Sequence, residues 1–134
     1  MRVAAQPDLY DPTPDDPLLL GTACGGCGRV SFPPLTLGCD ACGAPDGQLQ
    51  PTTLATVGCI HSIATVHRHR GEPPAPFTVA EIQLAEGSLI RAMVAAESAQ
   101  ELRIGDHVRG VWQTVRIDTD GNEVVEPAFT ATIQ

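Results

Sequence analysis

Two C-x2-C pairs, Cys24 with Cys27 and Cys39 with Cys42, stand eleven residues apart. A tight knuckle brings the two thiolates of such a pair toward one point, and two knuckles complete the tetrahedral set that Zn²⁺ takes. The knuckles read Cys24-Gly25-Gly26-Cys27-Gly28 and Cys39-Asp40-Ala41-Cys42-Gly43. Glycine permits the positive φ that a knuckle demands. Four thiolates leave no open position for water or substrate, so the spacing predicts one structural Zn²⁺ per chain rather than a catalytic centre. A rubredoxin-type iron site uses similar ligands, and spacing alone leaves it open. The odd total of five cysteines argues against a disulfide framework. So does residues 1–8, which hold no apolar signal core; the expected compartment is the cytoplasm.

Other candidate chemistry is thinner. Cys59 opens an apolar segment, with His61 two residues on, the spacing of one strand face. A nucleophile with its base would look like this, and so would a cysteine packed as a small hydrophobe. His67, Arg68, His69 and Arg70 form the most basic stretch. Arginine binds phosphate in bidentate fashion, which makes Arg68, Arg70 and Arg29 (with Arg91) candidate phosphate contacts, set against a plainly solvated loop. Glu81 and Glu86 fall near a turn and read as solvated acids. Phe32, Pro33, Pro34 and Leu35 are too apolar to be covered by a tiny ribbon, so they are expected to pack on the rest of the protein or on a partner. No Gly-rich phosphate loop or Ser/His/Asp motif is present, and no catalytic residue is assigned.

Composition narrows the classes. The 134 residues are 43% hydrophobic, enough for a real core, and carry a formal net charge of −8. All eight basic residues are Arg. A net negative chain without a lysine cluster is poorly suited to nucleic acid, because phosphate contacts supply most of that affinity. The 4% of aromatic residues give few stacking platforms for single strands. No apolar run approaches the roughly 20 residues that span a bilayer.

The elements that must position these groups are short strands. Residues 1–17 hold four Pro and four Asp and read as an extended arm. Residues 18–47 form the ribbon, and its folding energy is expected to come largely from metal. Residues 46–53 read as a polar link into a barrel over 48–134. Five strands are expected there, at 60–67, 77–84, 89–94, 108–117 and 124–129, with a Gly/Pro-rich loop over 68–76 and at most one helical turn over 97–102. Ala80, Ile82 and Leu84 share one face of their strand. Trp112 is expected in the barrel core or at its rim. The strands therefore read as a mainly β chain, a zinc ribbon followed by a small closed five-stranded barrel.

The motifs sharpen this. The ribbon carries Cys27-Gly28 and Val30-x-Phe32-Pro33-Pro34 before the second knuckle. The barrel follows with Gly58-x-Ile60-x-Ser62-x-x-Thr65-Val66-His67-Arg68, then Pro74-x-Pro76-Phe77-x-Val79, Leu84-x-Glu86-Gly87 and Ile104-Gly105-Asp106-x-Val108. Together they resemble the zinc-ribbon/OB-fold family of acyl-CoA-associated proteins known as domain of unknown function thirty-five, over residues 18 to about 129. Asp40 and the run Val125-Glu126-Pro127-Ala128-Phe129 depart from the usual family pattern. The resemblance implies a rubredoxin-like zinc ribbon followed by a five-stranded OB-fold barrel. It also implies a non-catalytic, zinc-binding subunit that forms a complex with a thiolase-fold enzyme, an SCP2-type thiolase or aldolase. It implies support of acyl-CoA carbon–carbon bond cleavage, as in steroid side-chain or aromatic acyl-CoA degradation, with acyl-CoA at the shared interface. The rival readings are a single-stranded nucleic-acid-binding OB module and a stand-alone enzyme built on Cys59 with His61.

Overall fold

The computed structural model describes residues 1–71 and 74–132; residues 72 and 73 of the expected 68–76 loop, and 133–134 of the expected barrel span, lie outside them. The strands are β1 (Arg2–Ala4), β2 (Tyr10–Asp11), β3 (Leu18–Cys24), β4 (Val30–Ser31), β5 (Leu49–Ala55), β6 (Val57–Val66), β7 (Phe77–Leu84), β8 (Leu89–Val94), β9 (His107–Ile117) and β10 (Glu123–Ala131). Two single 3-10 turns, Asp46–Gln48 and Ala96–Ser98, are the helical pieces among the described residues. The second takes the place of the helical turn expected over 97–102.

Strands β6 to β10 close a barrel. β6 pairs antiparallel with β7 and β7 with β8; β8 runs parallel to β10, β10 antiparallel to β9, and β9 returns to β6. Alternation drives the closure: Thr78, Ala80, Ile82 and Leu84 of β7 are buried while their neighbours are less so. Ile60, Ile90, Val94, Val108 and Phe129 complete that interior. Gly58 sits where β6 meets β7, and a Cβ there would collide with the Gln83 carbonyl oxygen of the backbone. Its φ is not in the left-handed region, so the demand is purely one of space. Gly58→Ala is therefore expected to destabilise the barrel by about 1–3 kcal/mol, read from urea unfolding.

The ribbon sheet has β3 at its centre. All of β5, from Leu49 to Ala55, pairs with all of β3, while β2 and β4 share the other edge of β3. This corrects the polar link expected over 46–53: the segment is a 3-10 turn and an edge strand. Gln50 and Pro51 hid it, yet an edge tolerates a proline that donates nothing. The chain then bends at Thr56 into the barrel. The Thr56 hydroxyl donates to the Pro17 carbonyl at 2.7 Å, and the Gly110 N–H donates to the Thr56 carbonyl at 2.7 Å. Tyr10, Leu19 and Leu54 of the ribbon sheet belong to the same buried cluster as Ile82, Val108 and Phe129 of the barrel. Ribbon and barrel share one core, and a shared close-packed core resists hinging.

The N-terminal arm is also packed, contrary to expectation. β1 runs parallel to β10, with Arg2 opposite Glu123. The Arg2 guanidinium donates to the carbonyls of Pro12, Thr13 and Pro14 and lies 5.6 Å from the Trp112 ring centroid. Trp112 donates its indole N–H to the Pro14 carbonyl at 2.7 Å and packs on the core rim. One arginine thus satisfies carbonyls that a proline-rich segment cannot pair within itself.

Beneath the arm, burial raises the Glu126 carboxyl above the ordinary glutamate range, against a lowering contact from Gln113 at 3.5 Å. A raised acid binds its proton more tightly folded than unfolded, so its contribution makes stability fall as pH rises from the ordinary glutamate value through the raised one. Glu126→Gln is expected to raise Tm at neutral pH, with the gain shrinking as pH falls to about 4. Thermal unfolding at several pH values reads this directly.

Candidate metal centre

The end of β3 delivers Cys24, and the knuckle that follows turns back to deliver Cys27. Gly28 N–H donates to the Cys24 carbonyl at 2.8 Å with Gly28 at φ 80°. The second knuckle repeats the device: Gly43 N–H donates to the Cys39 carbonyl at 3.0 Å with Gly43 at φ 77°. The repeated left-handed glycine is what the two C-x2-C-Gly strings encode.

The four Sγ atoms lie within 4.8 Å of one another, and no other cluster of three or more ligating side chains exists among the described residues. The short approaches cross between knuckles, Cys24 to Cys42 at 3.7 Å and Cys27 to Cys39 at 3.6 Å. A Zn²⁺ with Zn–S bonds of about 2.3 Å sets its tetrahedral sulfurs roughly 3.8 Å apart, so this donor set fits the ion. All five cysteines are free of disulfides.

The backbone prepares the charge. Amides of Cys42 and Ala41 lower the Cys39 thiol to about 6, and amides of Cys27 and Gly26 also lower the Cys24 thiol. The Ala44 amide pulls Cys42 down, but the neighbouring thiols of Cys27 and Cys24 outweigh it and push it up to about 12. Four sulfurs this close cannot all ionise without a cation between them, which is the chemistry of a structural zinc centre. Cys24 and Cys39 are buried, whereas Cys27 and Cys42 are exposed. Arg29 Nε meets Asp40 Oδ1 at 2.9 Å, which ties one knuckle to the other.

The ribbon segment, residues 14–46, matches the family described as ChsH2, rubredoxin-like zinc ribbon domain, and residues 52–113 match ChsH2, C-terminal OB-fold domain. A DUF35 domain-containing scaffold protein of Methanothermobacter thermautotrophicus is 31% identical over 100 residues, covering 73% of this chain and 74% of the relative. The chain belongs to the DUF35 family. A second DUF35 scaffold protein, from Methanocaldococcus jannaschii, is 28% identical over 104 residues, covering 76% of this chain and 72% of that one. Among solved structures, a chain of the "Ltp2-ChsH2(DUF35) aldolase" superposes with a TM-score of 0.66 at 22% identity, covering 86% of this chain and 85% of the other. That likeness establishes the same ribbon-plus-barrel fold.

The remaining candidates of this DUF35 chain separate. Phe32 turns inward against the common core, while Pro33 is exposed. Pro34 and Leu35 line an open apolar groove of about 540 Å³ with Leu20, Leu49 and Pro51. Leu37, which sequence reasoning passed over, is 97% exposed just beyond them. Its signal was a third large apolar residue in a segment with no strand pattern. Cys59 does not use His61: a bulge between Ile60 and Ser62 interrupts the β6–β7 pairing there. The thiol lies 3.4 Å from His107 Nδ1, its register partner on β9. Glu86 accepts from its own turn, the Ser88 N–H at 2.9 Å, and Glu81 accepts from the Ser62 hydroxyl at 2.8 Å. Arg68 and Arg70 stand exposed on the β6–β7 loop. Among the described residues no helix is long and apolar enough to cross a membrane.

Proposed function

We propose that this chain is a non-catalytic scaffold subunit for a thiolase-fold enzyme, an SCP2-type thiolase or aldolase, whose partner active site makes or breaks a carbon–carbon bond in an acyl-CoA. The observation that carries this reading is the closed four-thiolate centre joined by a common core to the barrel. Such a centre has no chemistry to offer a substrate, and its use is to hold a surface still. Family membership, the scaffold names of the relatives and the aldolase name of the structural neighbour support it. The docking surface is the ribbon segment of Pro33, Pro34, Leu35 and Leu37, whose exposed apolar groups a partner would cover. Acyl-CoA lies at the shared interface, with Arg68 and Arg70 facing its phosphates. Steroid side-chain and aromatic acyl-CoA degradation in the cytoplasm are the settings this reading favours.

Co-expression with a thiolase-fold enzyme, an SCP2-type thiolase or aldolase, tests it. A stable complex through size exclusion is expected, together with a change in the enzyme's cleavage rate. Leu37→Asp should weaken that complex without lowering the Tm of the free chain, because the side chain touches solvent alone. Absence of any complex, with both proteins folded, would overturn the proposal.

A further inference from the structure

We infer that the cleft where the N-terminal arm, the ribbon and the barrel meet is a binding site for a small neutral molecule, a ring-sized apolar body carrying one hydroxyl group. The inference stands apart from the scaffold reading and needs no partner enzyme.

The topology opens the cleft. Among the described residues, β8 pairs with β10 only through Met93 and Val94. Ahead of that junction, Ile90, Arg91 and Ala92 line a cleft together with Glu126 and Pro127 of β10. The arm adds a wall of Gln6, Leu9 and Tyr10. That wall is pinned by its own hydrogen bonds. The Ala5 N–H donates to the Val125 carbonyl at 2.9 Å, and the Leu20 N–H to the Leu9 carbonyl at 2.8 Å. The Gln6 N–H donates to the Tyr10 hydroxyl at 3.1 Å. A wall held in this way is in place before a ligand arrives, so little ordering is left to oppose binding.

Size and lining set the body of the ligand. The cleft measures about 150 Å³, and Leu19, Phe32, Ile90 and Phe129 give it apolar surface. An apolar cavity of about 150 Å³ is large enough to take benzene.

Charge sets the polar group. Glu126 and Arg91 both line the cleft, and neither makes an ion pair among the described residues. The half-buried Glu126 carboxylate accepts only from Gln113, at 3.5 Å. Burial with so little compensation is what raises this acid. An ammonium ion would satisfy Glu126 but meets the Arg91 guanidinium. A carboxylate would satisfy Arg91 but meets Glu126. A hydroxyl donates one hydrogen bond and accepts others, so it serves both residues and brings no charge to be desolvated.

NMR titration of the zinc-loaded full chain at neutral pH with phenol, benzene, benzoate and benzylamine is the test. Phenol is expected to bind about tenfold tighter than the other three, the scale of a hydrogen bond to a charged group. Its shifts should centre on the amides of Tyr10, Arg91 and Phe129 and spare the two knuckles. Glu126→Gln should weaken phenol about fivefold and tighten benzoate, because the repelling charge is gone. Arg91→Gln, at an exposed position, should weaken phenol and tighten benzylamine. A purely structural effect of either variant would move all four probes alike. Benzene as tight as phenol, either ion tighter than phenol, no shifts at the cleft amides, or variants that move the four probes together would overturn the inference.

Discussion

Cys39→Ser should strip the metal and unfold the ribbon. Cys39 is buried, and two amides of its own knuckle hold its thiol down at about 6. A serine hydroxyl offers zinc neither the charge nor the soft donor that a thiolate does. The ribbon buries little of its own: from the second knuckle it contributes only Cys39 to the buried apolar residues. Its stability comes from the ion, whose apparent binding energy in small zinc domains is about 10–16 kcal/mol. Losing one ligand of four is expected to cost most of this. The damage should reach the barrel, because Tyr10, Leu19 and Leu54 form part of the common core. Metal content below a tenth of wild type, a lowered Tm and loss of the partner complex should appear together, and chelation of the wild type should reproduce all three.

Phe129→Ala should be the most damaging change within the barrel. Phe129 is fully buried, and its strand β10 is tied to three others, pairing with β1, β8 and β9. Its carbonyl also accepts from the Ala95 N–H at 2.8 Å, tying the β8–β9 connection to the same point. Removing the ring leaves a cavity among side chains already fixed by strand pairing, so collapse is limited. A cost of about 3–5 kcal/mol is expected, against a total stability of about 5–15 kcal/mol for a domain. Urea unfolding should show a large drop in midpoint. Metal content should hold, since the ring lies in the barrel rather than at the knuckles.

The parts legible in the sequence were those whose signal is local. Two C-x2-C-Gly strings specify ligands, turns and left-handed glycines within five residues each, so the centre could be read without the fold. β7 was equally plain, because Ala80, Ile82 and Leu84 alternate on one buried face. The missed features depend on distant partners. The arm looked unstructured because its prolines cannot pair with one another, and only Arg2 and Trp112 reveal what holds it. β5 was hidden by Gln50 and Pro51, and it needs β3 to become a strand. The partner of Cys59 follows from the β6–β9 register across 48 residues of sequence, which no spacing rule reports.

X-ray absorption at the zinc edge, with metal analysis on the same purified protein, tests the central claim most directly. One ion per chain with four sulfur ligands at about 2.3 Å is the predicted result. A stoichiometric ion with a nitrogen or oxygen neighbour in place of one sulfur, or no stoichiometric metal at all in folded protein, would contradict it.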